Sequence, residues 1–146
     1  MHDKSFKLHS MRKIVCAGGF LMDGNKFLFG KRNKKKKWAP GVWDIVGGKS
    51  LKNEHPLYTL QRETFEEIAV NVLNAELITT LELNDNQKNI FTYHIYMITA
   101  FTGKPVNCSN EHSKIKWFTP EELNTKSLAL PEYLTLIDDW IKHKSY

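Results

Sequence analysis

Residues 48–70 read GKSLKNEHPLYTLQRETFEEIAV. In a helix, residues three and four positions apart lie on the same side, so Glu63, Glu66 and Glu67 fall within an arc of about 100°. Three like charges at this spacing repel one another, and Arg62 alone cannot neutralise them. A hard divalent cation with oxygen ligands can, and a site of that kind normally also handles phosphates. The segment therefore predicts a metal site for phosphate chemistry.

The spacing of the charged residues matches a known pattern. Five residues separate Gly48 from Glu54, seven more lead to Arg62-Glu63, and two more lead to Glu66-Glu67. The segment resembles the Nudix box of the Nudix hydrolases, G-x5-E-x7-R-E-U-x-E-E-x-G-U, in which U is a bulky apolar residue. All the charged positions and the first glycine match, so the resemblance implies a Nudix-type hydrolase.

Two positions depart from that pattern. Thr64 stands where an apolar residue is usual, although its methyl group can still pack. Ala69 replaces the last glycine, which after a helix usually supplies a left-handed cap. An alanine adopts that conformation at a cost of about 1 kcal/mol. Neither change removes a carboxylate, so the predicted metal site keeps its ligands.

The order of the predicted elements agrees with this resemblance. Apolar and β-rich runs predict strands at residues 13–21, 26–31, 42–46, 72–83, 89–102 and 114–118. Helix signals are Pro56 in the box, a capping box that begins at Thr119, and Pro131 before a final amphipathic helix. This order predicts an α/β protein with a mixed β-sheet. The resemblance sharpens the prediction to a Nudix-type α/β/α sandwich, formed as a single domain over residues 1–146.

The resemblance also implies the cofactor and its ligands. Mg²⁺ is the expected metal, and Mn²⁺ is a possible substitute for it. Carried over by position, Glu66 and Glu67 are direct ligands. The backbone carbonyl of Gly48 is a further ligand, since a glycine turn lets the main chain approach a metal closely. Glu63 either binds the metal or orients the attacking water.

Three further charged residues are assigned supporting or catalytic roles. Arg62 is expected to pair with Glu63 or Glu54 and so hold the carboxylates in register. Glu54 is expected to support the loop rather than contact metal. Glu111 lies in the loop before the last short strand and is a candidate for the general base or for a ligand that completes the metal shell. An ordinary loop acid is the alternative for Glu111.

Histidines and aromatic residues give weaker signals. His112 and His94 are candidate bases, but a lone histidine is more often structural. Aromatic faces can stack on any nucleobase, although most aromatic residues here are expected in the core. The stacking candidates are Phe20, Trp38, Trp43 and Tyr96.

Charge and composition narrow the class of partner. The chain has 146 residues and a net charge of +5, and residues 34–37 form a lysine run. Positive charge suits an anionic nucleotide, whereas a solvated loop is the alternative reading of the run. No RNA-binding module is apparent, so a small nucleotide is expected rather than nucleic acid. Without a signal core or an apolar run near 18 residues, we expect a cytoplasmic monomer or homodimer with no membrane partner.

The implied reaction is metal-dependent hydrolysis of a nucleoside diphosphate linked to another group. Nucleoside triphosphates, including oxidised or non-standard ones, are the first substrate class. The alternatives are NDP-sugars, dinucleoside polyphosphates and the 5′-triphosphate end of RNA. An inactive Nudix-fold binding protein is the alternative outside catalysis. Such a protein is expected to have lost box glutamates, and this chain keeps them all.

Overall fold

The fold is described from a computed structural model, which covers residues 11–36, 39–85 and 87–144. The strands are β1 (Arg12–Asp23), β2 (Lys26–Arg32), β3 (Trp43–Asp44), β4 (Val46–Lys49), β5 (Asn71–Asn84), β6 (Asn89–Thr102) and β7 (His112–Phe118). The helices are α1 (Pro56–Ile68), α2 (Pro120–Leu123) and α3 (Glu132–His143). The box helix, the capping box at Thr119 and the final helix therefore form where the sequence predicts them.

The strands form one mixed sheet in the order β3-β2-β1-β6-β5, with β4 paired to β1 and β7 to β2. The β1–β6 pair is parallel and runs from Arg12 opposite Asn89 to Leu21 opposite Ile98. The other strand pairs are antiparallel. The long strand β1 is therefore central, and it holds β4, which carries the first glycine of the box.

The predicted strand at residues 42–46 is two strands instead of one. Strand β3 pairs with β2, whereas β4 pairs with β1. Ile45 lies between them, and its N–H donates to the carboxylate of Asp44 at 2.8 Å rather than to a neighbouring strand. This local bond accompanies the change of partner, and it was not visible in the apolar pattern.

Side chains that alternate along the strands build a core on each face of the sheet. On β1, Phe20 packs with the cluster that contains Tyr133 and Ile137 of α3, whereas Leu21 packs with the cluster that contains Leu60 and Ile68 of α1. Helices therefore cover both faces of a mixed sheet, as in the predicted α/β/α sandwich.

Helix α1 has well-defined ends. The ring nitrogen Nδ1 of His55 accepts the N–H of Leu57 at 3.1 Å, and Pro56 occupies the first turn. At the other end Ala69 has φ 59° and ψ 35°, the left-handed conformation expected at this position, and its N–H donates to the carbonyl of Phe65. Thr64 is fully buried, and its Oγ1 has no hydrogen-bond partner within the described part of the chain.

Replacing Ala69 by glycine tests the cap. We expect Ala69→Gly to raise the free energy of unfolding by about 0.5–1 kcal/mol, because glycine adopts this backbone conformation without a Cβ clash. Urea denaturation monitored by circular dichroism measures the change. Ala75→Gly in β5 is the matched control and should be destabilising, since Ala75 is not among the residues with positive φ. Destabilisation by both substitutions would contradict the assigned strain.

Candidate active site

A cavity of about 920 Å³ opens beside the glycine turn of β4 and the C-terminal half of α1. Its volume is in the range typical of small-molecule sites. Acidic and basic side chains both line it. The acidic ones are Asp44, Glu63, Glu67, Asp85 and Glu111, and the basic ones include Arg32, Lys36 and Lys49. The fold thus brings three of the predicted site carboxylates together with cations that suit an anionic ligand.

Glu67 is the most deeply buried of the box glutamates, with 3% of its surface exposed. Its Oε2 accepts the N–H of Gly47 at 2.9 Å. Burial, together with smaller effects of the negative charges of Glu63, Glu111 and Asp44, raises the pKa of Glu67 to about 9, although the Gly47 bond opposes the shift. A cation in the cavity would reverse this balance, because an opposite charge favours the ionised form.

The two glycines of β4 bring the main chain against these carboxylates. A Cβ on Gly47 would overlap the carbonyl oxygen of Ala17 on the neighbouring strand. A Cβ on Gly48 would lie 2.6 Å from the carboxyl carbon of Glu63. Glycine at position 47 is therefore required for β4 to pair with β1, whereas a side chain at position 48 would displace the carboxylate of Glu63. Gly48 was expected at the site from the sequence, whereas Gly47, whose N–H donates to Glu67, was not.

Arg62 links the box loop, α1 and β4. Its Nε and Nη2 donate to both carboxylate oxygens of Glu54 at 2.9 and 3.0 Å, and Nη2 also donates to the carbonyl of Lys49 at 3.0 Å. Its Nη1 donates to Glu63 at 2.8 Å and to Glu66 at 3.3 Å. Arg62 was expected to pair with Glu63 or Glu54, and in this structure it binds both.

Glu54 organises the loop in the way proposed from the sequence. Besides binding Arg62, its Oε1 accepts the N–H of Leu51 at 3.0 Å and the hydroxyl of Thr59 at 2.7 Å. The hydrogen bonds from Arg62, followed by that from Leu51, lower the pKa of Glu54 to about 2. Glu54 is absent from the cavity lining among the described residues.

The remaining two predicted acids differ in position. Glu66 is about half exposed and lies outside the cavity lining, in contact with Arg62. Glu111 lines the cavity and forms an ion pair with Lys36. Glu63 also lines the cavity; burial is the main cause that raises its pKa, and Arg62 opposes that shift. Although helical spacing puts the three box glutamates on one side of α1, they therefore have unequal access to the cavity.

Asp44 is a buried carboxylate in the cavity wall that sequence reasoning missed. Its Oδ1 accepts the hydroxyl of Tyr133 at 2.6 Å, and Arg32 lies 3.4 Å from its Oδ2. Burial raises the pKa of Asp44, and these donors oppose the shift. One signal was available, since Asp44 is a lone charge within the apolar run of residues 42–46.

Among the described histidine and aromatic candidates, His112 lines the cavity and the others do not. His112 is buried and lines the cavity, whereas His94 on β6 contacts Thr80 of β5 and is absent from the lining. Phe20, Trp43 and Tyr96 are buried core residues. Trp38 and Lys37 lie outside the described residues. The aromatic side chains placed at the cavity are instead Phe91 and Tyr93, which the sequence analysis did not single out.

Comparison with known proteins identifies the family. The family model described as the NUDIX domain matches residues 12–139, which is most of the chain. The chain belongs to the Nudix family. The match includes the box and the elements that form the cavity, and the resemblance read from the box is confirmed. That one domain spans residues 1–146 stays a prediction.

This Nudix chain is similar in sequence to two proteins named 8-oxo-dGTP diphosphatase. It is 30% identical over 113 residues to the 8-oxo-dGTP diphosphatase of Buchnera aphidicola subsp. Schizaphis graminum, which covers 77% of this chain and 82% of that protein. It is 29% identical over 105 residues to the 8-oxo-dGTP diphosphatase of Proteus vulgaris, covering 69% and 93%. The aligned regions thus include most of each relative.

Solved structures confirm the predicted fold. A MutT NUDIX hydrolase from Burkholderia pseudomallei has a TM-score of 0.77 at 22% identity, covering 87% of this chain and 97% of that one. The MutT protein from Methanosarcina mazei Go1 has a TM-score of 0.78 at 16% identity, covering 93% and 98%. Among the described residues, no helix is both long and apolar enough to cross a membrane.

Nudix hydrolases generally use divalent metal ions, and the residues of this site fit one. Glu63, Glu67 and the main chain at Gly48 offer oxygen donors, which hard cations prefer. Glu67 is buried with acidic neighbours, an arrangement that a cation would stabilise. In the described ranges, there is no group of three acidic, histidine or cysteine side chains that could hold a metal ion in their present positions. Glu63 and Glu66 instead accept hydrogen bonds from Arg62.

The raised pKa of Glu67 predicts a pH-dependent stability without metal. The pKa is about 9 in the folded protein against an ordinary value of 4.5, so the folded state binds the proton more tightly. Stability is therefore lost as pH rises from about 4.5 toward 9. We expect Glu67→Gln, in EDTA, to unfold at a higher urea concentration than the native protein at pH 8, and the difference to shrink near pH 4.5.

The exposed neighbour gives the control for that measurement. Glu66→Gln should show little difference from the native protein across the same pH range, since Glu66 is about half exposed. A Glu67→Gln protein that is less stable than the native one at pH 8 would contradict the assigned effect of burial.

Proposed function

We propose that this Nudix hydrolase converts nucleoside triphosphates to the monophosphate and pyrophosphate, with oxidised purine nucleotides such as 8-oxo-dGTP as preferred substrates. The observation that carries the proposal is the cavity, which joins box carboxylates to Arg32 and Lys36 in a space of about 920 Å³. The names of the relatives from Buchnera aphidicola and Proteus vulgaris support the choice of an oxidised purine.

Mg²⁺ is the metal that we propose, with Mn²⁺ as a substitute. The residues that would hold it are the predicted ligands Gly48, Glu63, Glu66 and Glu67, of which Glu67 is the most deeply buried. When bound, such an ion neutralises charge on the phosphate oxygens and lowers the pKa of a coordinated water. To join the other three, Glu66 would have to turn from Arg62 toward the cavity.

The side chains of this protein then supply positioning and proton transfer. A water oxygen attacks one phosphorus of the α–β phosphoanhydride, the bond from that phosphorus to the bridging oxygen breaks, and the bridging oxygen leaves with the other phosphorus, so that the monophosphate and pyrophosphate are formed. Glu63 or Glu111 takes the proton of that water as general base. Arg62 is a positioning residue, because it fixes Glu63 through Nη1 while Glu54 fixes Arg62. Arg32 and Lys36 line the cavity and would bind the phosphate oxygens.

A substrate panel tests the proposed reaction. Purified protein with Mg²⁺ is assayed for pyrophosphate and phosphate release from 8-oxo-dGTP, dGTP, an NDP-sugar, a dinucleoside polyphosphate and a 5′-triphosphorylated RNA. We expect pyrophosphate release with the highest kcat/KM for 8-oxo-dGTP. Greatest activity on another member of the panel would replace the proposed substrate, and the RNA alone would point to a 5′-pyrophosphohydrolase.

Glu67→Gln is the matched variant for that assay. We expect it to lower kcat by at least about 100-fold, as is typical when one electrostatic contact of a catalytic site is lost. Mg²⁺ should raise the Tm of the native protein but have little effect on the Tm of Glu67→Gln. Near-normal turnover in the folded variant would contradict the metal assignment.

The lysine run divides into two testable parts. Lys36 lines the cavity and pairs with Glu111, whereas Lys34 and Lys35 are exposed and do not line it. We expect Lys36→Ser to raise KM for a nucleoside triphosphate about three- to tenfold at low salt, through loss of one charge-assisted contact. The double variant Lys34→Ser/Lys35→Ser is the control and should leave KM nearly unchanged. Equal effects would indicate a general charge effect instead.

A further inference from the structure

His112 is a buried histidine in the wall of the cavity, at the start of β7. Its surface is 5% exposed, and its ring lines the cavity. Its Nδ1 has no hydrogen-bond partner within the described part of the chain. A buried polar atom without a partner is unfavourable in a folded protein, so such atoms usually have one. The ring of His112, with its unpartnered Nδ1, therefore belongs to the wall of the space that a ligand would fill.

The surrounding strands hold His112 in a fixed place. Strand β7 pairs with β2 so that His112 is opposite Arg32, at an irregularity in the ladder. A Cβ on Gly30 would lie 2.7 Å from Nδ1 and overlap the ring, so the imidazole packs against bare main chain. The side-chain amide of Asn107 donates to the carbonyl of His112 at 2.9 Å, and the backbone N–H of Asn33 donates to the carbonyl of Glu111 at 3.1 Å.

The charges near His112 point to the part of a nucleotide that it would meet. Arg32, which is opposite His112 in the sheet, lines the same cavity, and so do Lys36 and Glu111. An imidazole carries at least one N–H donor whether it is neutral or protonated. Next to two cations, that donor is placed for an anionic oxygen.

We propose that His112 contacts the substrate directly, with its imidazole N–H donating a hydrogen bond to a phosphate oxygen alongside Arg32 and Lys36. This inference rests on the proposed function, since it requires a phosphate-bearing ligand in the cavity. It assigns His112 to substrate binding and leaves the general base to Glu63 or Glu111.

Nitrogen NMR of the intact protein tests the contact without turnover. Two-bond ¹H–¹⁵N spectra report both ring nitrogens of each histidine, and His112→Asn identifies the His112 signals. Saturating dGMP or inorganic pyrophosphate should shift the His112 ring nitrogens and leave those of His94 in place. Deoxyguanosine, which has no phosphate, should leave both unchanged.

The same spectra separate failure of this inference from failure of the proposed function. If dGMP shifts the backbone amides of Gly47 and Gly48 but leaves the His112 ring unchanged, the contact is overturned and nucleotide binding stands. If neither probe shifts the glycine amides or His112, both the contact and the proposed function fail. A shift of His112 with deoxyguanosine would overturn the phosphate assignment.

Kinetics of variants give an independent measurement. His112→Phe keeps an aromatic ring against Gly30 but removes the donor, so KM for dGTP should rise about three- to tenfold with kcat little changed. His112→Asn keeps a donor near Nδ1 and should restore part of the loss. His94→Phe is the control and should match the native protein. An unchanged KM in folded His112→Phe would overturn the contact, and if that variant does not fold the NMR result decides.

Discussion

A carboxylate buried on the core side of a helix is the constraint on which the site depends. Glu67 shares the inner surface of α1 with Leu60 and Ile68, and it is almost as deeply buried as they are. Apolar packing against the sheet holds the helix in place and so keeps the carboxylate out of water. Burial of a charge is unfavourable by itself, and a hydrogen bond from Gly47 offsets only part of it. The buried carboxylate thus lowers the stability of the metal-free fold, and a bound cation would offset that loss.

Two features adapt the rest of the structure to that buried group. The glycine pair of β4 removes side chains that would overlap Ala17 and Glu63, so strand and helix approach closely. Arg62 then ties Glu54, Glu63 and the Lys49 carbonyl together, which links the loop, the helix and the strand in one hydrogen-bonded unit. This unit explains why charged residues recur over the whole length of the box. Most of them maintain the geometry, and few reach the cavity.

The fold followed from the sequence more completely than the site did. Helix α1, its left-handed end at Ala69 and the long strands were predicted because local spacing and caps define them. The prediction failed at residues 42–46, where Ile45 bonds to the side chain of Asp44 and the strand changes partner. Asp44 and Tyr133 were missed as a pair because 89 positions separate them in the chain. No local periodicity reports a contact between residues so far apart.

The sequence by itself determined the family, the loop–helix–loop and the set of acids available for a metal, because the box fixes residue type and spacing along one helix. Only the tertiary structure decided which of those acids reach the cavity. Glu67 faces the core and Glu66 faces solvent although they are adjacent, because the direction of each side chain depends on where the sheet lies relative to α1. The same holds for His112, whose place beside Gly30 is set by the pairing of two strands that are distant in sequence.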